Sequence, residues 1–436
     1  MAAPTRFAAP VTRATGRSAL RQFMERGAAK AKNFEGAGEV TMKGETSLQD
    51  PDPAALERSA RLEALIRARI AASPEQILPF DEFVDLALYA PGLGYYAAPN
   101  AIFGRLGDFI TAPESGELFA ACLAQEVAAL LSQDDYTIVE YGAGSGRLAG
   151  DLLTRLIPQY PTLRYHIVEP NPTLVERQRV HLAGHLGEHS ARLSWSPDHQ
   201  HHDQPVVVLA NEVLDAMPFK RYRVTSEGIR ELGVAIRGDA LEITQFTSLD
   251  DAVAETLRVS LAGFPDGYET EVQPALGGWL RALRKSFSRG VVLLSDYGYP
   301  EHEYFHPDRS AGTMKCHFRH QLHTDALARP GLQDLTVAVN FTAAACCAEE
   351  AGFDVCGFAT QTRFLLNTGL EAVLAQEMTG VGSHDYTLAQ EAKRLLLPGE
   401  MGETCKFLGL AADCDPVISG FADDERHRLV GPVRAA

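Results

Sequence analysis

The sequence predicts an α/β fold built around an open, mostly parallel sheet, and three observations carry that expectation. The stretch Val139-Glu140-Tyr141-Gly142-Ala143-Gly144-Ser145-Gly146 reads as a strand end running into a glycine-rich turn, and Leu148, Leu152, Leu153 and Leu156 recur at helical spacing directly after it. A second strand, Tyr165-His166-Ile167-Val168-Glu169, ends in a carboxylate 23 residues beyond Gly146. The continuous apolar run Val206-Val207-Val208-Leu209-Ala210 is what a strand buried on both faces requires.

The remaining elements follow in chain order. Residues 1–50 carry Arg6, Arg13, Arg17, Arg21, Arg26, Lys30 and Lys32 among few acids and many alanines, the composition of a mitochondrial transit peptide. An unstructured extension, or a bacterial gene read from an upstream start with Met42 as the true beginning, is the alternative. The expected location is therefore the cytoplasm for a bacterial protein, or the mitochondrial matrix if the leader is a transit peptide. An N-terminal helical region spans 51–132. Its first helix, 54–72, is periodic in Leu56, Leu62, Leu65, Ile66 and Ile70, and its second, 80–88, stops at Ala90-Pro91-Gly92. Between 92 and 114 glycines, aromatics and charges crowd into a non-periodic segment of the kind that carries function on a rigid scaffold. A helix over 115–131 then delivers the chain to the glycine turn.

Residues 133–220 hold the turn, a helix over 173–186 and a short strand over 192–195. Hairpin strands around 221–246, then helices to about 287, form an inserted segment over 221–288. A fifth core strand at 291–295 opens the last part, 289–412, which contains a lid-like insertion at 300–340. Its basic, aromatic run Lys315 to His320 suits either an acidic substrate surface or a salt-bridged lid. Residues 413–436 read as a C-terminal tail.

The glycine spacing speaks to the ligand. At a strand-to-helix corner, missing Cβ atoms allow close approach, and the helix start offers free N–H groups. A dinucleotide fingerprint from Gly142 needs a glycine at 147, where Arg147 stands. The pattern is acidic-x-G-x-G-x-G instead, and it resembles that of class I S-adenosylmethionine (SAM) methyltransferases, with Glu140, Gly142, Gly144 and Gly146 around the cofactor and Glu169 on its ribose hydroxyls. A nicotinamide site and a plain structural turn are the alternatives, and a solvated strand-end charge is the alternative for Glu140. Trp195 falls where a third strand passes the adenine edge; stacking on the base and a core or cap role are both open.

The fourth strand ends in Asn211-Glu212-Val213-Leu214-Asp215. In an open α/β sheet these residues face the reacting group, and a carboxylate pair can grip a guanidinium by charge-assisted hydrogen bonds. Capping of the following turn is the competing role. No covalent nucleophile or metal is needed for such chemistry, and the loop histidines His199, His201 and His202 lack the fixed spacing of a closed metal site.

Composition sets the outer limits. With 436 residues, 45% hydrophobic and 22% charged, the chain has the material of a globular enzyme. A net charge of −17 argues against general nucleic-acid binding and suits a basic partner. No apolar run is long enough to span a membrane. Seven cysteines without a C-x-x-C pair imply reduced, mostly buried thiols, Cys346 and Cys347 being small core residues of a helix over 341–350.

Taken together, Gly94-Tyr95-Tyr96, Gly107-Asp108-Phe109 with Thr111-Ala112-Pro113-Glu114, the glycine turn, Asn211-Glu212 with Asp215-Ala216 and Pro218, Asp296-Tyr297-Gly298, Gln333-Asp334-Leu335-Thr336 and Met401-Gly402-Glu403 resemble the MidA-type SAM-dependent methyltransferase family over about 55–412. That family includes the mitochondrial complex I assembly arginine methyltransferase. The resemblance implies a class I, Rossmann-like, seven-stranded core with an N-terminal helical region and a substrate-side insertion. It implies SAM as cofactor, with Asp108, Thr111 and Glu114 joining the cofactor contacts, and Asn211, Glu212 and Asp215 as catalytic residues. For the mitochondrial branch it implies methylation of an arginine in a complex I subunit. A methyltransferase with another acceptor and a non-catalytic SAM-binding assembly factor are the competing classes. Where many members read T-A-H-V-D-F, this chain has Thr336-Val337-Ala338-Val339-Asn340-Phe341, losing a histidine and an acid.

Overall fold

The computed structural model describes residues 51–98, 111–132, 136–246, 257–319 and 321–429. In chain order the strands are β1 (Ile77–Pro79), β2 (Thr137–Tyr141), β3 (Tyr165–Val168), β4 (Leu193–Ser196), β5 (Val206–Asn211), β6 (Lys220–Thr225), β7 (Gly228–Arg237), β8 (Ala240–Gln245), β9 (Glu269–Val272), β10 (Gly290–Tyr299), β11 (Lys315–Phe318), β12 (Gln321–His323), β13 (Asp334–Thr336), β14 (Val339–Asn340), β15 (Asp354–Thr360) and β16 (Cys405–Ala412).

Seven strands form the central sheet in the order β15-β16-β10-β5-β2-β3-β4, with the two-residue β14 attached beside β10. Neighbours from β4 to β10 are parallel, and β16 runs antiparallel to both β10 and β15. This is the seven-stranded class I core the motifs imply. Successive residues of a strand point to opposite faces, and both faces are covered here. Val207, Leu209, Val291 and Leu293 join a core with the helices Leu118–Leu131 and Arg147–Leu156. Val206, Val208, Val292 and Leu294 join another with the helices Leu276–Lys285 and Phe341–Ala351. Double coverage is why these strands read as unbroken apolar runs.

The N-terminal region and the two insertions are not separate layers. β1, which no periodicity announces in so short a segment, pairs antiparallel with β7, placing Leu78 opposite Val234. Leu62, Ile66, Phe80, Phe83, Phe219, Val234, Cys316 and Leu335 then share one apolar core. The expected helices after 246 are interrupted by β9, which extends the β1-β7-β6 sheet. The expected lid at 300–340 is also pinned down: Glu271 Oε2 accepts from Thr313 N (2.8 Å) and Thr313 Oγ1 (3.0 Å), and Ser59 Oγ donates to the Pro330 carbonyl (2.8 Å). Of the basic, aromatic run, Cys316 and Phe318 face inward and only Lys315 is fully exposed among its described residues before Arg319. The C-terminal segment packs as well, with Phe421 and Glu425 buried. Cys346 is exposed and Cys347 half-buried, so the expectation of two core cysteines fails; the buried face of that helix is carried by Phe341, Ala344, Ala345 and Ala348.

Candidate active site

The carboxyl ends of β2 and β5 lie side by side where the strand order reverses, the position at which open α/β sheets bind ligands. A cavity of about 840 Å³ opens there, toward the upper end of the roughly 300–1,000 Å³ usual for small-molecule sites.

One side is built by the glycine turn. Gly142, Gly144 and Gly146 have φ of 64°, 54° and 83°, left-handed values that are strained for residues with a Cβ. At Gly142 a Cβ would also stand 2.9 Å from Val213 Cγ2, so the turn and the end of β5 are in close approach. Gln178, fully buried on the helix Pro172–Leu186, organises this side. Its Nε2 donates to the Gly144 carbonyl (3.0 Å) and to Glu169 Oε2 (3.4 Å), while its Oε1 accepts from Trp195 Nε1 (3.0 Å). Glu169 Oε1 accepts from Asn171 N (2.9 Å), and Asn171 Nδ2 reaches the Tyr96 carbonyl (2.6 Å). Gln178 has no signature in the sequence, because a helical glutamine is read as solvated; only its register, facing Leu174 and Leu182, hints otherwise.

Glu140 lines the cavity at 3% exposure, so it is no solvated strand-end charge. Burial pushes its carboxyl up to about 7, opposed by the hydrogen bond from Tyr165 Oη (2.8 Å) and reinforced by the charge of Glu169. Thr111 and Glu114 also line the cavity. The single turn Ala112–Ser115 bridges its two sides, since Glu114 Oε1 accepts from Ser145 Oγ (2.5 Å) and Ala112 N donates to Glu212 Oε1 (3.3 Å). Asp108 lies outside the described residues. Trp195 is set apart from the cavity wall. It packs against the core with Arg179 4.9 Å from its ring centre, and Pro197, Asp198 and His199 form the wall beyond β4 instead. Trp195 stands one residue before the end of β4, and its place against the core matches the core role that the sequence left open beside stacking.

On the other side Asn211, Glu212 and Asp215 come together as expected. Glu212 has φ of 52°, an uncommon value for a non-glycine residue and a form of strain that clusters at functional sites. Its Oε2 accepts from Tyr297 Oη (2.7 Å) and its Oε1 from Asn211 Nδ2 (3.2 Å). Burial raises the Glu212 pKa against these hydrogen bonds. Asp215 is 2% exposed. Its Oδ1 and Asn211 Oδ1 are buried acceptors without a hydrogen-bond partner. Beneath them Asp296 Oδ2 accepts from Leu214 N (2.9 Å) and Asp215 N (3.2 Å), and its Oδ1 from Tyr297 N (2.8 Å).

The sequence singled out Asp296 and Tyr297 only as parts of a motif; their roles depend on β10 lying next to β5. An aromatic rim completes the cavity. Tyr89 and Tyr96 stack at 5.7 Å, and Tyr96 Oη donates to Asp334 Oδ2 (3.0 Å). Trp279 meets Tyr141 edge-on at 5.5 Å, and Tyr141 Oη shares a hydrogen bond with His199 Nδ1 (2.7 Å). Of the three loop histidines, His199 alone lines the cavity. The departures at 338 and 340 lie off the cavity. Asn340 Oδ1 caps the helix Phe341–Ala351 through Ala343 N (3.0 Å), a task asparagine and aspartate perform equally well.

The family model described as "Putative S-adenosyl-L-methionine-dependent methyltransferase" matches residues 118–359. The Drosophila melanogaster protein arginine methyltransferase NDUFAF7 homolog, mitochondrial, is 29% identical over 428 residues, covering 88% of this chain and 94% of that protein. The Homo sapiens protein arginine methyltransferase NDUFAF7, mitochondrial, is 28% identical over 373 residues, with 76% and 79% covered. A crystal structure of a Burkholderia thailandensis protein bound to S-adenosyl-homocysteine superposes with a TM-score of 0.83 at 36% identity, over 87% of this chain and all of that one. The glycine cradle, the acid after β3 and the size of the cavity fit the cofactor named by the family model and the product bound in that crystal structure. The chain therefore belongs to this S-adenosyl-L-methionine-dependent methyltransferase family, and SAM is its cofactor.

Proposed function

We propose that the chain is a protein arginine N-methyltransferase whose acceptor is an arginine of a respiratory complex I subunit. One observation carries the choice of acceptor group: two residues of the wall opposite the glycine turn hold buried acceptors that lack donors, Asp215 Oδ1 and Asn211 Oδ1, beside the carboxylate of Glu212. A guanidinium brings five N–H donors in a planar fork and a charge that persists at any working pH. Bound SAM supplies an electrophilic methyl group. Glu212, held by Tyr297, and the unpartnered oxygens of Asp215 and Asn211 would fix the nitrogen that receives it. The aromatic rim and the buried wall exclude water. Alignment of this kind can supply about 7 to 11 kcal/mol of a barrier.

Support also comes from the relatives named as arginine methyltransferases, and from the net charge of −17, which suits a basic protein segment. The complex I acceptor rests on the motif resemblance. The mitochondrial relatives support the matrix as the place of action for a chain with an arginine-rich leader.

The deciding experiment is mass spectrometry of arginine methylation in respiratory-chain subunits from cells with and without the gene, paired with calorimetric SAM binding to the purified protein. Loss of one methyl-arginine together with SAM binding is the expected result. SAM binding with an unchanged arginine methylome would leave another acceptor or a non-catalytic assembly role. Substituting Glu212→Gln should lower kcat/KM on the order of 10- to 100-fold, the worth of one charged hydrogen bond; intact turnover would reduce Glu212 to a turn cap.

A further inference from the structure

Among the described residues, none of Glu212, Asp215 and Asp296 forms an ion pair, although Asp215 and Asp296 are buried and Glu212 is half-buried. The two aspartates are held differently. Asp296 accepts three backbone N–H bonds, from Leu214, Asp215 and Tyr297, and a carboxylate so supplied is favoured as an anion. Among the described residues Asp215 takes the Ala216 N–H as its donor, and its Oδ1 is unpartnered within a residue that lines the cavity.

The charged and titratable groups bearing on Asp215 come from every side: Asp296 and Tyr297 on β10, the latter with its hydroxyl on Glu212, Glu212 at the end of β5, Asp334 on β13, and Tyr89 and Tyr96 from the N-terminal region. Tyr89 Oη donates to the Ala216 carbonyl (2.8 Å) and Tyr96 Oη to Asp334, so neither hydroxyl serves Asp215. Lys406, opposite Asp296 in β16, gives its ammonium to the carbonyls of Glu403 and Thr404. Acids crowded in a buried site that holds no cation among the described residues cannot all ionise. The proton belongs on the member with the fewest donors, Asp215.

We infer that the Asp215–Asp296 pair exchanges a proton for the acceptor's positive charge: a guanidinium entering the cavity engages Asp215 Oδ1, and one proton leaves Asp215 for the buffer. The inference rests on the arginine reading. Asp296 stays an anion throughout and acts as a positioning residue, holding the backbone of Leu214 and Asp215 and keeping the proton on Asp215 while the cavity is empty. A neutral acceptor has no charge to offer in exchange, so the pair selects cations. Acceptor affinity then rises with pH, by up to about tenfold per unit, as long as free Asp215 remains protonated.

The test uses the full chain saturated with S-adenosyl-homocysteine and titrated with N-acetyl-arginine amide, by calorimetry at pH 7 in phosphate and in Tris. The enthalpy difference between the buffers counts protons. About one proton released per probe bound is expected, and Asp296→Asn should bind the probe while releasing close to none. Binding with the same enthalpy in both buffers, or unchanged release in Asp296→Asn, overturns the exchange. Failure of the probe to bind at all overturns the arginine reading instead, and this inference with it. If Asp296→Asn does not fold, the two-buffer comparison on the unmodified protein decides alone.

Discussion

Replacing Glu140 with Gln should stabilise the empty protein by an amount set by pH. The residue is 3% exposed, its Oε2 accepts from Tyr165 Oη at 2.8 Å, and burial moves its carboxyl from 4.5 to about 7. A carboxyl whose folded pKa lies above the unfolded one binds its proton more tightly in the folded state. Below about pH 4.5 it is neutral in both states and costs nothing, and as pH rises through about 7 the folded state loses that advantage. The difference is worth about 3 kcal/mol. Gln has no proton to lose, and its carbonyl can still accept from Tyr165. Urea denaturation of both proteins at pH 5 and pH 8 should therefore show a gap in favour of Glu140→Gln at pH 8, on the order of 3 kcal/mol, that mostly closes at pH 5. An equal difference at the two pH values, or a less stable variant at pH 8, would refute the assignment of Glu140 as a buried, reluctant anion.

Three further substitutions probe the rest of the site. Gly142→Ala forces a Cβ onto a residue at φ 64° and to within 2.9 Å of Val213; calorimetry should show SAM binding at least about tenfold weaker, with a stability loss of about 1–3 kcal/mol. Trp195→Phe removes the donor to Gln178 Oε1 and should cost about 1–3 kcal/mol of stability, with SAM affinity within a few-fold of the unmodified protein. A loss of two orders in affinity would put the indole on the adenine after all. Tyr297→Phe deletes a hydrogen bond that lowers the Glu212 pKa, so the acidic limb of the kcat profile should move to higher pH while KM for SAM stays put. An unmoved limb would mean that Glu212 need not ionise for turnover.

The cofactor half of this site was legible because its parts are local. A strand, a glycine turn and a helix succeed one another within twenty residues around Gly144, and an acid ends the next strand at Glu169. Each leaves a periodicity or a spacing in the sequence. Misreadings arose where tertiary pairing decided the outcome. Three residues at β1 carry no period, yet they are a strand because β7 offers an unpaired edge. The spacing leaves Trp195 open between the adenine edge and the core, and the packing of the helix Pro172–Leu186 over β4, which bonds its indole to the buried Gln178, gives it the core place. Cys346 was expected inside because it lies among alanines, but a helix buries one stripe, and Cys346 falls opposite it.

The acceptor half shows why sequence reading runs out at specificity. Its wall draws Asn211, Glu212 and Asp215 from β5 and the turn after it, Tyr89 and Tyr96 from the N-terminal region, and Trp279 from the inserted segment, with Asp296 and Tyr297 of β10 supporting it from behind. Cross-links join these pieces: Val337 N donates to the Asp215 carbonyl at 3.1 Å, and Tyr96 reaches both Asp334 and Asn171. Tyr96 thus connects the insertion, through Asn171, to Glu169 on the cofactor side. A change in the insertion would be felt at the acceptor wall and at Glu169 together, while the glycine turn is held by Gln178 and the end of β5 and not by the insertion. Divergence within such a family is then expected to fall on what is methylated and to spare the methyl donor.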